Sequence, residues 1–417
     1  MRDKLRFPVK RALPMLAGAA CALSGALPAL AQTVPDCSTL SHPVYIAGST
    51  AAKPFLLAIA KNLASQTPPI TVIYQGQGSC VGVNYMASSP VGTISGTGIY
   101  WDSSTSTTDL SCNLSAITGD AVDVGISDVF ASSCGATLPS GIHDFFGPVQ
   151  SMTFAVPATS TQTAISAEAA YMVFGFGADT AAHSVAPWAD ATALEVRNAS
   201  SGTQQMIAAA LAQVNASFTA AKMKGVANSG SGAVLTGLTT LAAAGNQEKA
   251  IGILATDVVD GNRATVLPLA FQAVGQSCGY TPDLTQKTFD KQNVRDGHYQ
   301  IWGPLHLLTP SADGKKADKA DANTVISYLT GAAEPAFDLI SVEAKKGVVP
   351  DCAMRVQRTS EVGPMASYMP AKSCECKFIA AATGTAPLTC KTCNAATAAT
   401  DCTASAPACN SGYCEVR

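Results

Sequence analysis

The chain has 417 residues, only 13% of them charged, and a formal net charge of −3. A balance so near neutrality, with no basic stripe, argues against nucleic acid as a partner. The length exceeds what one compact core of ordinary size holds, so two lobes are expected.

Positions 1–31 read as an export signal. Arg2, Lys4, Arg6, Lys10 and Arg11 form a positive region, Leu13 to Leu27 is apolar, and Ala29-Leu30-Ala31 supplies a small-residue cleavage site. The stretch is too short and wrongly flanked for a membrane span. Cys21 does not make it a lipoprotein signal, because Gly18 stands where such a signal normally has Leu. No later segment is apolar for long enough to cross a bilayer. The mature chain is therefore expected in the periplasm or at the cell surface, not membrane-spanning. Fourteen cysteines are present. Export makes disulfides their default state, and the odd number left after removal of Cys21 implies a free or interchain thiol.

Beyond the signal, Val44 to Ala47 is a short apolar run that reads as a buried strand. Gly48-Ser49-Thr50 follows, then an amphipathic helix with Phe55, Ile59 and Leu63 on one face and Pro54 in its first turn. Ile70 to Tyr74 is a second strand, running into Gln75-Gly76-Gln77-Gly78-Ser79. Pro90 to Gly119, rich in Ser, Thr and Gly, reads as a surface insertion. Ala121 to Ile126 is a third strand, ending at Ser127-Asp128. Leu194 to Val196 is a fourth, ending at Arg197, after which Ser201-Gly202-Thr203 opens a helix. Strands alternating with helices predict an α/β fold with largely parallel sheets. Two further apolar runs, Met152 to Pro157 and Gln300 to Leu308, mark the expected crossings between lobes. They place lobe one at 33–152 and 298–370, lobe two at 153–297, and a disulfide-rich tail at 371–417.

Four of these segments share one design: a strand ends, and hydroxyl or glycine residues open the next element. Ligands of open α/β sheets sit outside the carboxyl ends of strands, and helix N-termini there present unpaired N–H groups suited to an anion. Ser49, Thr50, Ser79, Ser201 and Thr203 add hydroxyl donors. Arg197 is positioned to fork onto two ligand oxygens, or else to make a surface or interlobe salt bridge. Asp128 beside an anion site is unfavourable unless the ligand carries a proton to donate, as monoprotonated phosphate does and sulfate does not. The alternative is a helix-capping Asp, just as an isolated Ser-Gly-Thr is explained by capping.

Ala47-Gly48-Ser49-Thr50, Tyr74 to Ser79, Asp123 to Asp128, and Arg197 with Ser201-Gly202-Thr203 resemble, in order, the motifs of the phosphate-binding periplasmic component of ABC transporters. The resemblance covers most of 40–350. It implies a type II periplasmic-binding-protein fold of two lobes closing by a hinge. It also implies phosphate contacts from Thr50, Ser79, Asp128, Arg197, Ser201, Gly202 and Thr203, with backbone help at Ala51. The implied partners are inorganic phosphate and an ABC transporter permease. Ala51 departs from the family, which usually has an aromatic residue there. The long stretch from Ser79 to Asp128 and the cysteine-rich tail are departures too.

The tail carries Cys374, Cys376, Cys390, Cys393, Cys402, Cys409 and Cys414. It has little apolar periodicity, so cross-links must supply its order, and it reads as a separate appendage. With no His in it and an oxidising compartment implied, disulfides are expected over zinc, and no metal or cofactor is assigned. None of the five histidines lies in a nucleophile motif, and no catalytic residue is assigned. Two other readings stay open: a surface-attached scavenging or adhesion protein that retains the binding fold, and an exported phosphate-ester hydrolase.

Overall fold

The structure is a computed structural model describing residues 34–103 and 108–416. The expected export signal at 1–31 lies outside the described residues.

β1 (Pro43–Gly48) feeds α1 (Lys53–Ala64), and β2 (Thr71–Gly76) feeds α2 (Ser79–Ala87). Pro54 sits in the first turn of α1, where a missing N–H leaves no helical bond unmade. Phe55, Ile59 and Leu63 are buried, as their period predicts, joined by Leu56 and Ala60. Next come β3 (Thr97–Tyr100), β4 (Leu110–Asn113) and β5 (Val124–Ser127). Here the structure departs from the sequence reading. The stretch read as a surface insertion carries β3 and β4, which extend the sheet beyond β2. Trp101 is fully buried and stacks on Tyr74 at 6.0 Å, and Cys112 is bonded to Cys37. Burial of one Trp and one disulfide ordered a segment whose polar composition carries almost no strand periodicity.

β6 (Ile142–Pro157) is the long strand of the fold. After it come β7 (Leu194–Arg197), α3 (Gly202–Leu211), β8 (Val226–Asn228), α4 (Ser231–Ala243), β9 (Ile251–Ala255), α5 (Thr256–Asp260) and β10 (Val266–Pro268). β11 (Trp302–Pro310) and α6 (Leu339–Lys345) follow, then a hairpin of β12 (Val356–Gln357) and β13 (Ala366–Ser367), and α7 (Glu375–Thr383).

Strands join in the order β8-β7-β9-β6-β11-β5-β1-β2-β3-β4, with β10 also on β6. β1 is parallel to β2 and β5, and β7 is parallel to β8 and β9. β6 divides this path into two half-sheets. Ile142 to Ser151 pair with β11, whereas Met152 to Ala155 pair with β9. Beside that switch, Met152 N–H donates to Ile301 O at 2.9 Å. One apolar cluster gathers Val44, Ile46, Phe55 and Leu63 under the first half-sheet, and another gathers Phe154, Val196, Ile207 and Ile253 under the second. The fold is thus α/β with parallel strands on both sides of an antiparallel pair, plus a cysteine-rich C-terminal extension.

The extension is not a separate appendage throughout. Phe378 of α7 is fully buried in the second apolar cluster. Glu375 accepts from the buried Arg295 at 2.5 Å, and Lys377 pairs with Asp338 at 2.5 Å. Six disulfides link Cys37–Cys112, Cys80–Cys134, Cys352–Cys374, Cys376–Cys390, Cys393–Cys409 and Cys402–Cys414. Among the described residues Cys278 is the free thiol, and it is exposed. No helix among them is long and apolar enough to cross a membrane.

Candidate anion-binding site

Four strand ends converge. Gly48 closes β1 with a φ of +136°, and a Cβ there would lie 2.0 Å from Ile126 O, so only glycine lets β1 leave the sheet beside β5. Ser49 follows. Its N–H donates to Ile126 O at 2.9 Å, and its Oγ donates to Asp128 Oδ1 at 2.5 Å while accepting from the N–H groups of Ala51 and Ala52. Tyr74, buried on β2, donates its hydroxyl to Ser49 O. At the start of α2, Ser79 Oγ donates to Asp128 Oδ2 at 3.0 Å and accepts from Asp128 N–H at 3.1 Å. Asp128 itself begins no helix, so the capping alternative for it does not apply.

The second half-sheet closes on this group. The backbone N–H of Cys80 donates to Ser200 O at 3.0 Å. Gly202 packs so tightly that a Cβ would meet Ser79 Oγ at 2.2 Å and Asp128 Oδ2 at 2.5 Å. Ser201 precedes α3 but makes no side-chain capping bond, and Thr203 Oγ1 is buried without a hydrogen-bond partner among the described residues. Capping therefore does not account for this Ser-Gly-Thr. α3 begins at Gly202, so the positive end of its dipole lies beside Ser79 and Asp128.

Arg197 ends β7 and is 1% exposed. Its Nη2 donates to Thr50 Oγ1 at 3.0 Å and Ser229 O at 3.2 Å, its Nη1 to Ser231 Oγ at 3.2 Å, and its Nε to Asn228 O at 3.3 Å. Among the described ion pairs Arg197 has none, so the salt-bridge alternative does not describe it. Burial holds its pKa below the usual guanidinium value, with Asp128 and Tyr74 opposing. Burial also raises the pKa of Asp128, against the hydroxyls of Ser49 and Ser79 and the charge of Arg197.

Thr50, Ser79, Asp128, Arg197, Ser201, Gly202 and Thr203 are thus gathered in one place. Ala51 lies beside them, but its N–H is turned to Ser49 Oγ. Sequence reasoning missed the hydroxyl of Tyr74, which sits inside a quoted motif, and Ser231, whose helix start reads as an ordinary cap. The hydroxyls, helix terminus and guanidinium together favour an anion with several acceptor oxygens. Of the five histidines, His306 alone is buried, and its Nδ1 meets Asp144 Oδ2 at 2.8 Å rather than a nucleophile.

No family model matches the chain, and neither does any curated protein. Solved phosphate-transport receptors do match its structure. A phosphate ABC-transporter substrate-binding protein of Clostridium perfringens, with bound phosphate, is 13% identical at a TM-score of 0.49, over 74% of this chain and 99% of its own. An ABC-type phosphate transport receptor of Vibrio cholerae is 17% identical at 0.46, over 74% and 99%. Corynebacterium glutamicum OxyR matches as well, 8% identical at 0.37, over 70% and 64%.

Proposed function

We propose that this chain is an exported solute-binding protein that captures inorganic phosphate between two lobes for delivery to an ABC importer. The observation that carries the reading is Arg197. A guanidinium taken out of water without a carboxylate costs several kcal/mol. Here hydroxyls, carbonyls and a helix N-terminus surround it, Asp128 acts on it only through space, and a ligand that brings further negative charge would pair it directly. The two half-sheets correspond in this reading to lobes at 33–152 with 298–370 and at 153–297, hinged where β6 and β11 cross. The six disulfides fit an oxidising compartment outside the cytoplasm.

Asp128 supports phosphate within the oxyanions. With both oxygens already accepting from hydroxyls, it offers only lone pairs to a ligand, which welcome a protonated phosphate and repel sulfate. Calorimetric titration of the purified protein with phosphate, sulfate and molybdate tests this. Phosphate should bind far more tightly than sulfate near neutral pH, and equal affinities or no heat at all would end the reading. Asp128→Asn replaces one acceptor with a donor. It should cut the phosphate-to-sulfate preference by about 1–3 kcal/mol, because sulfate gains a partner where it had a repulsion.

A further inference from the structure

A segment far along the chain reaches the anion site. Cys352 and Cys374 are bonded, and Cys374 N–H donates to Cys352 O at 3.0 Å, which closes 352–374 into a strap built on the β12–β13 hairpin. One side of the strap leans on the chain that leads into β11. Arg355 N–H donates to Arg295 O at 2.9 Å, and Arg358 lies 3.9 Å over the Trp302 ring while donating to Gln300 O at 3.0 Å. The other side reaches the loop that follows Asp128. Glu361 accepts from Phe130 N–H at 3.0 Å and from the Ser133 hydroxyl. At the turn next to it, Val362 holds a φ of 52°, a backbone region that a β-branched residue rarely enters. Strain of this kind persists only where the surroundings impose it. Gly303 lies near both sides, since a Cβ there would lie 3.7 Å from Asp128 O and 4.0 Å from Glu361 Oε1.

We propose that the disulfide-closed strap 352–374 is a latch on the anion loop, and that Glu361 is a positioning residue that sets Asp128 through Phe130 and Ser133. The loop 128–134 is then held from two directions. Ser49 and Ser79 hold its start, Cys80 bonds its end through Cys134, and Glu361 fixes the stretch between. Two hydrogen bonds to one carboxylate at the loop's middle prevent it from swinging away from the Ser49 and Ser79 hydroxyls. The strap also rests on Gln300 and Trp302, where the chain crosses between half-sheets, so movement at the crossing and order in the loop are mechanically joined. This inference rests on the oxyanion reading for its consequence in affinity, but not for its consequence in loop order.

The experiment therefore reads both. Amide hydrogen exchange of the loop is followed in the full chain without ligand, and phosphate is titrated in parallel. In Glu361→Ala, exchange across 128–134 should quicken and phosphate binding weaken, each by about tenfold, with a much smaller change in the urea midpoint. Glu361→Gln keeps an acceptor oxygen for Phe130 N–H and should recover most of both losses. Ser133→Ala, a milder change, should quicken the loop by a smaller factor and serves if Glu361→Ala fails to fold. Unchanged loop exchange in Glu361→Ala or Ser133→Ala overturns the latch. So does equal loss in the Ala and Gln variants accompanied by a matching fall in global stability. A wild-type protein that binds no phosphate, combined with a quickened loop in Glu361→Ala, overturns the oxyanion reading and leaves the latch standing.

Discussion

Two of the regions that bury cations do so in opposite ways. In the second half-sheet Lys291, 0% exposed, lies 2.6 Å from Asp260 and 2.7 Å from Asp283, and Arg263 Nη2 lies 2.6 Å from both carboxylates. Burial alone would lower the pKa of Lys291, but the two aspartates outweigh it and the net shift is upward; the same holds for Arg263. At the anion site burial wins, and the pKa of Arg197 falls. One group is closed by its own carboxylates, whereas Arg197 has no carboxylate bonded to it among the described residues.

Breaking the closed group should have the largest effect. Asp283→Ala leaves Lys291 and Arg263 to share Asp260 and should cost about 3–5 kcal/mol in urea unfolding, with phosphate affinity of the folded protein intact. Arg197→Met tests the other half of the comparison. Phosphate binding should weaken by about 2–5 kcal/mol in a calorimetric titration, because the ligand's charge is left unpaired. The ligand-free protein should lose far less stability than Asp283→Ala does, since no ion pair is broken. A stability loss as large as that of Asp283→Ala would dissolve the contrast between the regions.

Asp257 sharpens the comparison from the acidic side, with the smallest effect when read near pH 5. It is fully buried beside the crossing, its Oδ1 accepts from Gln150 Nε2 at 3.2 Å, and no cation pairs with it among the described residues. Burial, helped by the charges of Asp260 and Asp128, pushes its pKa from 3.8 up to about 8. A carboxyl whose pKa rises on folding stabilises the fold below its unfolded value and loses that contribution as pH climbs through its folded value. Wild-type stability should therefore decline between about pH 4 and pH 8 through this group. Asp257→Asn should flatten that part of the profile, differing from wild type by only about 1 kcal/mol at pH 5 in urea titrations. A wild-type profile equally flat would show Asp257 ionised at little cost.

The strand-end loops were legible because their signal is local. Gly48-Ser49-Thr50, Gly78-Ser79 and Ser201-Gly202-Thr203 each place small or hydroxyl residues where an apolar run stops, and the backbone leaves the sheet there. Asp128 was legible as a residue, but its two hydroxyl partners were not, since Ser49 and Ser79 lie 79 and 49 residues away in sequence. The strap was invisible for the same reason, as Glu361 lies 231 residues from Phe130. The edge strands at 97–100 and 110–113 were missed because each is only four residues long, too short for a clear alternation. Their order comes from Trp101 and Cys112, which mean little until the partners Tyr74 and Cys37 are known.

The place of α7 bears on how the chain is made. Phe378 fills the same apolar cluster as Val294, Tyr299 and Met354, and Arg295 finds its carboxylate in Glu375. A polypeptide emerging from its N-terminus first holds an exposed seat for Phe378 and an unanswered Arg295 until the helix arrives. Completion of the second apolar cluster therefore awaits residues late in the chain. Protease nicking between the hairpin and α7 during that interval would strand a sticky, unfinished body, whereas the Cys352–Cys374 bond keeps the two pieces together once it has formed.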